Sequence, residues 1–152
     1  MTGNPPPPQN ILAEAATLGA MLLNAKAVTI VIGVVRVRDF WREAHRTIFD
    51  AIGALYERGG KIDAITVGAE LDRRGQLETV GGLAFIRELA ENCPAPTSAV
   101  YYAKIVREQS VRRDLVRCGN EIAEFGYDLP ENMEELVMRE RWLGQILRQL
   151  KD

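Results

Sequence analysis

One histidine, two cysteines and scattered carboxylates are all that this 152-residue chain offers to acid–base, nucleophilic or metal chemistry. His45 alone can build neither a catalytic triad nor a histidine-rich metal site. With Trp41 and Phe49 four residues to either side, it reads as a structural residue that caps or hydrogen-bonds at a helix surface. Cys93 and Cys118 form no CxxC and have no nearby histidine, so neither a disulfide framework nor a zinc site is expected. The nearest thing to a phosphate loop is RGGKIDAIT. A true P-loop needs a glycine five residues before its Gly-Lys pair and a hydroxyl just after it. Leu55 and Ile62 stand there instead. Asp63, Glu70 and Asp72 read as exposed helix residues, and spacing alone does not make two carboxylates a catalytic pair. The expectation is therefore a chain with no catalytic, cofactor-binding or metal-ligating residues, and not an enzyme.

Arg107, Arg112, Arg113 and Arg117 form the one basic cluster with a spacing of interest, mixed with Glu108 and Asp114. They read as a salt-bridged, solvated face. A weak contact to single-stranded DNA or to an acidic partner is the alternative. The net charge of −2 and a pI near 5.6 argue against strong autonomous nucleic-acid binding.

These residues must be carried by helices. Residues 1–8 form a proline-rich, extended leader. From Gln9, Ile11, Leu12, Ala15, Leu18, Leu22 and Leu23 recur at helical spacing, with Asn10 as N-cap and Asn24 as stop. Residues 25–35 are β-branched, which favours a strand, yet the chain offers no second strand to pair with it. A buried helix is predicted there. Further helices are predicted over 40–60, 63–77 and 81–94, ended by Gly59–Gly60, Gly75 and Pro94 respectively. The apolar run AVTIVIGVV (27–35) is too short to span a bilayer, and the first ten residues lack the features of a secretory signal. A cytoplasmic, non-membrane protein is expected.

NCPAPTSAVYYAKIVRE (92–108) marks a stiff joint before a long, proline-free helix that runs to about Phe125. Some 28 residues at 1.5 Å each give roughly 40 Å, longer than the core that precedes it. A second helix, 131–150, returns after a turn at Gly126, Asp128 and Pro130. The organisation expected is all-α: a leader (1–8), a globular helical subdomain (9–96) and a helical hairpin (97–152). Tyr101, Ile105, Leu115, Ile122 and Phe125, with Leu136, Leu143, Leu147 and Leu150, form stripes at helix-seam spacing. One hairpin covers only one of its own two faces, so these residues are expected to make hairpin and dimer contacts.

PPQNILAEAATLGAMLLN, DFWREAHRTIFDAIGALYERGGKIDAITVGAELDRRGQL and VGGLAFIRELAENCPAPTSAVYYAKIVRE together resemble, block by block and in order, the N-terminal domain of the DnaB-like replicative DNA helicases. The likeness runs from about Pro7 to Arg117 and rests on Ala13–Glu14, Leu18–Gly19, Asp39–Phe40, the Ala-His-Arg of 44–46 and Gly81–Gly82. It implies a non-catalytic collar module in DNA replication. Such a module would dimerise, assemble as a hexameric ring built as a trimer of dimers, dock primase or a helicase loader, and meet DNA only indirectly. ATP and magnesium would belong to a RecA-like domain beyond this chain, and a full-length parent would be an ATP-dependent DNA helicase. The alternative is a stand-alone, helicase-like regulator of mobile-element or phage type that associates with a host helicase ring.

Overall fold

The structure, a computed structural model, describes Gly3, residues 5–128 and residues 133–151. Every regular element among the described residues is helical: α1 (Ile11–Leu23), α2 (Ala25–Ile32), α3 (Glu43–Glu57), α4 (Ala64–Arg73), α5 (Leu77–Val80), α6 (Gly82–Glu91), α7 (Ala99–Tyr127) and α8 (Met133–Lys151). Short 3-10 turns at Val37–Asp39 and Pro96–Ser98 lead into α3 and α7. The all-α expectation holds.

Local chemistry accounts for the boundaries. The Asn10 side chain accepts the Ala13 N–H at 2.9 Å and starts α1. Asn24 ends α1 through its own N–H to Ala20 O and starts α2 by accepting the Lys26 N–H at 3.0 Å. Asp63 and Thr66 cap α4 reciprocally, each side chain taking the other's backbone N–H at 2.9 Å. α3 and α4 run into Gly59 and Gly75, whose φ values of +69° and +70° side chains with a Cβ rarely adopt. The β-branched stretch is helical, as the absence of a partner strand required. α2 buries Ala27, Val28 and Val31 and leaves Thr29 and Ile30 exposed.

The contacts divide the chain into two units, Pro8–Ser110 and Val111–Asp152 together with Met1–Pro7. The division falls at Ser110, beyond the 96/97 boundary that the proline joint suggested. The reason is packing: Ala99, Ala103 and Val106, on the first turns of α7, are buried in the core of the globular unit. Leu18, Met21, Val31, Phe40, Ile48, Ile52, Val67, Leu71 and Ile86 fill that core. α1 crosses α6 closely at Gly19, where an added Cβ would overlap the Leu89 carbonyl oxygen. Glycine is there because the two backbones leave no room for a side chain.

In the second unit α7 and α8 are antiparallel. Asp128 meets Arg139, and Phe125, one turn back on α7, meets Trp142, one turn on along α8. The Phe125 and Trp142 rings meet edge-on with centroids 5.3 Å apart. The Arg139 guanidinium lies 5.5 Å over the Phe125 ring and pairs with Asp128 and Glu135. The turn residue Pro130 and the Leu150 side chain lie outside the described residues. No described helix is long and apolar enough to cross a membrane.

Candidate functional site

His45 is fully buried rather than on a helix surface, and its partner is Glu14, 1% exposed. α3 begins with Arg42 at its N-cap, which supplies no side-chain cap. Glu14, reaching across from α1, takes that role. Its carboxylate accepts the Trp41 N–H at 2.7 Å, the Arg42 N–H at 3.2 Å and His45 Nδ1–H at 2.9 Å. A carboxylate beside the free N–H groups and positive dipole end of a helix is well placed. His45 Nε2 has no hydrogen-bond partner, and the ring stacks on Phe85 with centroids 6.1 Å apart. This histidine fixes α1 against α3.

Glu70, expected to be exposed, is also buried. It receives Arg73 (2.8 Å), Arg58 (2.9 Å) and Arg74 (2.9 Å), and Arg74 also reaches Asp50 at 2.9 Å. The hydrogen bonds from Arg73, then Arg58 and Arg74, hold its carboxyl far below the ordinary value of 4.5. A depressed carboxyl contributes stability that is present above the unfolded value and is lost as pH falls through the folded one. Stability should therefore decline on acidification below about pH 4.5. In Glu70→Gln that acid-linked loss should shrink, and urea unfolding across pH 3–7 measures it. A backbone N–H from Thr66 likewise lowers the Asp63 carboxyl, which is spent on capping α4.

Asp39 is the third buried carboxylate. It accepts the Arg36 N–H at 2.8 Å, the Ser110 hydroxyl at 2.7 Å and the Arg107 guanidinium at 3.1 Å. Sequence reasoning missed both Glu14 and Asp39 as buried anchors. The signal was present for Glu14, which shares the i, i+4, i+7 stripe of Leu18 and Met21. A charged residue on an apolar stripe must find partners inside.

The four arginines of α7 do not form a free basic strip. Arg107 pairs with Asp39 and Arg117 with Asp114, both at 3.1 Å. Arg112 and Arg113 are also engaged in interactions of their own. Among the described residues no group of three His, Cys, Asp or Glu side chains could hold a metal ion. Lys61, in the glycine-rich stretch, is exposed and 3.9 Å from Asp63.

The apolar residues expected at a seam are placed as follows. Tyr101 and Ile105 are exposed on the globular unit. In the hairpin unit Leu115 (53%), Ile122 (38%), Leu136 (42%) and Leu147 (48%) stay open to solvent, while Phe125 and Leu143 are half-buried. Phe125 is thus engaged within the hairpin itself. Met133 and Val137, four residues apart on α8 and apolar members of that helix, are exposed as well.

Helices tied to one another through the buried carboxylates Glu14, Asp39 and Glu70, followed by a hairpin, define an all-α domain. The chain belongs to the DnaB-like helicase N-terminal domain family, whose model matches residues 6–108. It is 45% identical over 140 residues to the replicative DNA helicase DnaB of Mycobacterium leprae, covering 92% of this chain and 23% of that protein. It is 40% identical over 131 residues to the replicative DNA helicase DnaC of Bacillus subtilis, covering 86% and 29%. The chain thus spans about a quarter of the length of these curated relatives. The crystal structure of the N-terminal domain of DnaB helicase from Mycobacterium tuberculosis superposes with a TM-score of 0.82 at 41% identity, over 91% of this chain and 97% of that one.

Proposed function

We propose that this chain is an assembly and docking module of a replicative DNA helicase, and that it pairs with a second copy through its hairpin. The observation that carries the reading is the uncovered apolar face of the hairpin unit: Leu115 and Ile122 on α7, Leu136 and Leu147 on α8. Burial of such a face against a like face is the main driving force for association between helices in water. In this reading the paired hairpins are the building block of a ring, a trimer of dimers in the bacterial cytoplasm, and the module presents a surface to primase or a helicase loader. It performs no chemistry itself. The ATP-driven motor belongs to the remaining three quarters of the relatives' length, and DNA is engaged there.

The test is sedimentation of the chain carrying Ile122→Glu and Leu136→Glu. Both side chains are exposed, so unfolding should shift little, within about 0.5 kcal/mol. Self-association should weaken about tenfold or more, as for charges placed at the centre of an apolar interface. An unchanged association constant, or a wild-type chain that is monomeric at high micromolar concentration, overturns the reading.

A further inference from the structure

Charge is spread unevenly along the hairpin unit. Phe125 faces Trp142 and Asp128 faces Arg139, so the two helices share one scale of position. The turn end, residues 119–144, holds seven carboxylates against only two basic residues, Arg139 and Arg141. The opposite end, residues 111–118 and 145–152, holds Arg112, Arg113, Arg117, Arg148 and Lys151 against Asp114 and Asp152. Arg139 meets Asp128 and Glu135, and Arg117 meets Asp114. These pairs each join charges of one end, so both excesses remain. The centres of the two ends lie roughly 20 Å apart along the helix axis. That exceeds the screening length of about 8 Å at physiological salt, so they act as separate patches.

The apolar face does not choose a direction for pairing. Leu115 and Leu147 belong to the basic end, Ile122 and Leu136 to the acidic one, and all four are exposed. A like face fits such a stripe either way round. Charge separates the two arrangements. Side by side in the same direction, two hairpins set acid against acid and base against base, which is costly. Turned end for end, each acidic end meets a basic end, and two-fold symmetry makes that contact twice. A partner of one charge sign would match one end and oppose the other. A second copy of this chain carries the complement of both.

We infer that two hairpins pair end for end, the acidic turn end of each lying over the basic end of the other copy, and that ionic strength sets how tightly they hold. This rests on the hairpin pairing proposed above and adds its direction.

Sedimentation of the full chain at about 50 and 500 mM salt reads the electrostatic part, and the pair should loosen as salt rises. Glu124→Lys with Glu134→Lys alters two exposed side chains and should weaken association about tenfold. A pair aligned in the same direction would instead tighten with salt and with these substitutions, because both relieve repulsion. A nitroxide on Met133→Cys, with Cys93 and Cys118 changed to alanine, reads the direction itself. End-for-end pairing should hold the two labels at least about 30 Å apart, and the aligned pair would bring them within roughly 20 Å. A dimer with the short distance, or one indifferent to salt, overturns the direction and leaves the pairing standing. A chain that stays monomeric at high micromolar concentration overturns both. Tighter capture of a poly-lysine peptide than of a second copy would assign the acidic end to a basic partner, and also overturns the inference.

Discussion

Gly19→Ala lowers the stability of the globular unit by about 3 kcal/mol, the upper end of the usual cost of overpacking. The added methyl has nowhere to go. Its nearest neighbours would be the Leu89 carbonyl oxygen and, at 2.9 Å, the Cys93 Cβ, both held in or at the end of α6. A flexible side chain could swing aside, but a carbonyl inside a helix moves only if the helix moves. α1 and α6 must then separate along their crossing, which loosens Leu18, Leu22, Ile86 and Leu89 together. For a unit of this size the loss corresponds to a fall in Tm of roughly 10–20 °C. Gly53→Ala is the matched control. It stands in open space, so the same methyl should stabilise by about 0.5–1 kcal/mol through helix propensity alone. Thermal unfolding of the two variants side by side separates packing from propensity. Equal Tm values would mean that α1 and α6 do not approach as closely as described.

Glu14→Ala has the largest effect expected of any polar substitution, about 3–5 kcal/mol. Three donors lose one acceptor at once: the Trp41 and Arg42 N–H groups and His45 Nδ1–H. The His45 donor is buried and the two backbone N–H groups are part-buried; a buried donor left unpaired costs about 1–3 kcal/mol, and one that water can reach costs less. The partner substitution, His45→Leu, removes one donor and the unpaired Nε2 together, so it should cost less. In the double variant the two losses should fall short of adding by about 1 kcal/mol or more, because the carboxylate and the imidazole depend on each other. Urea unfolding with a constant m-value gives all three numbers. Strict additivity would show that the contact carries no coupling energy.

Much of this architecture was legible in the residues. Asn10 announced the start of α1 because a short polar side chain just before an apolar period has one obvious local use, and Asn24 announced its end; that Asn24 also starts α2 was not read. The strand-like composition of 28–32 was outweighed, correctly, by the lack of any ladder partner. The openness of Leu115, Ile122, Leu136 and Leu147 followed from counting faces: two helices cannot cover four sides. What was not legible was long-range. Glu70 looked solvated although Arg73 and Arg74 stand three and four residues on; only Arg58, at the end of α3, lay outside local reach. Glu14 and His45 are 31 residues apart, and nothing local joins them. Phe125 was read as a hairpin or dimer contact by its spacing, which did not choose between the two; Trp142 and Arg139 meet its ring inside the hairpin. Periodicity says that a side chain faces something apolar. It does not say whether that neighbour belongs to the same chain.

The Asp39 cluster bears on how this domain can be excised. The proline joint at 94–96 invites a cut there, and a gene fragment ending at that point would look complete by composition. It would remove Ala99, Ala103 and Val106 from the interior and strip Asp39 of its Arg107 and Ser110 donors. The smallest portion that can be expressed with its interior intact therefore extends through Ser110. The start of the long helix is a structural wall of the globular body, and a protease that nicks the chain before it would release two damaged pieces instead of two modules.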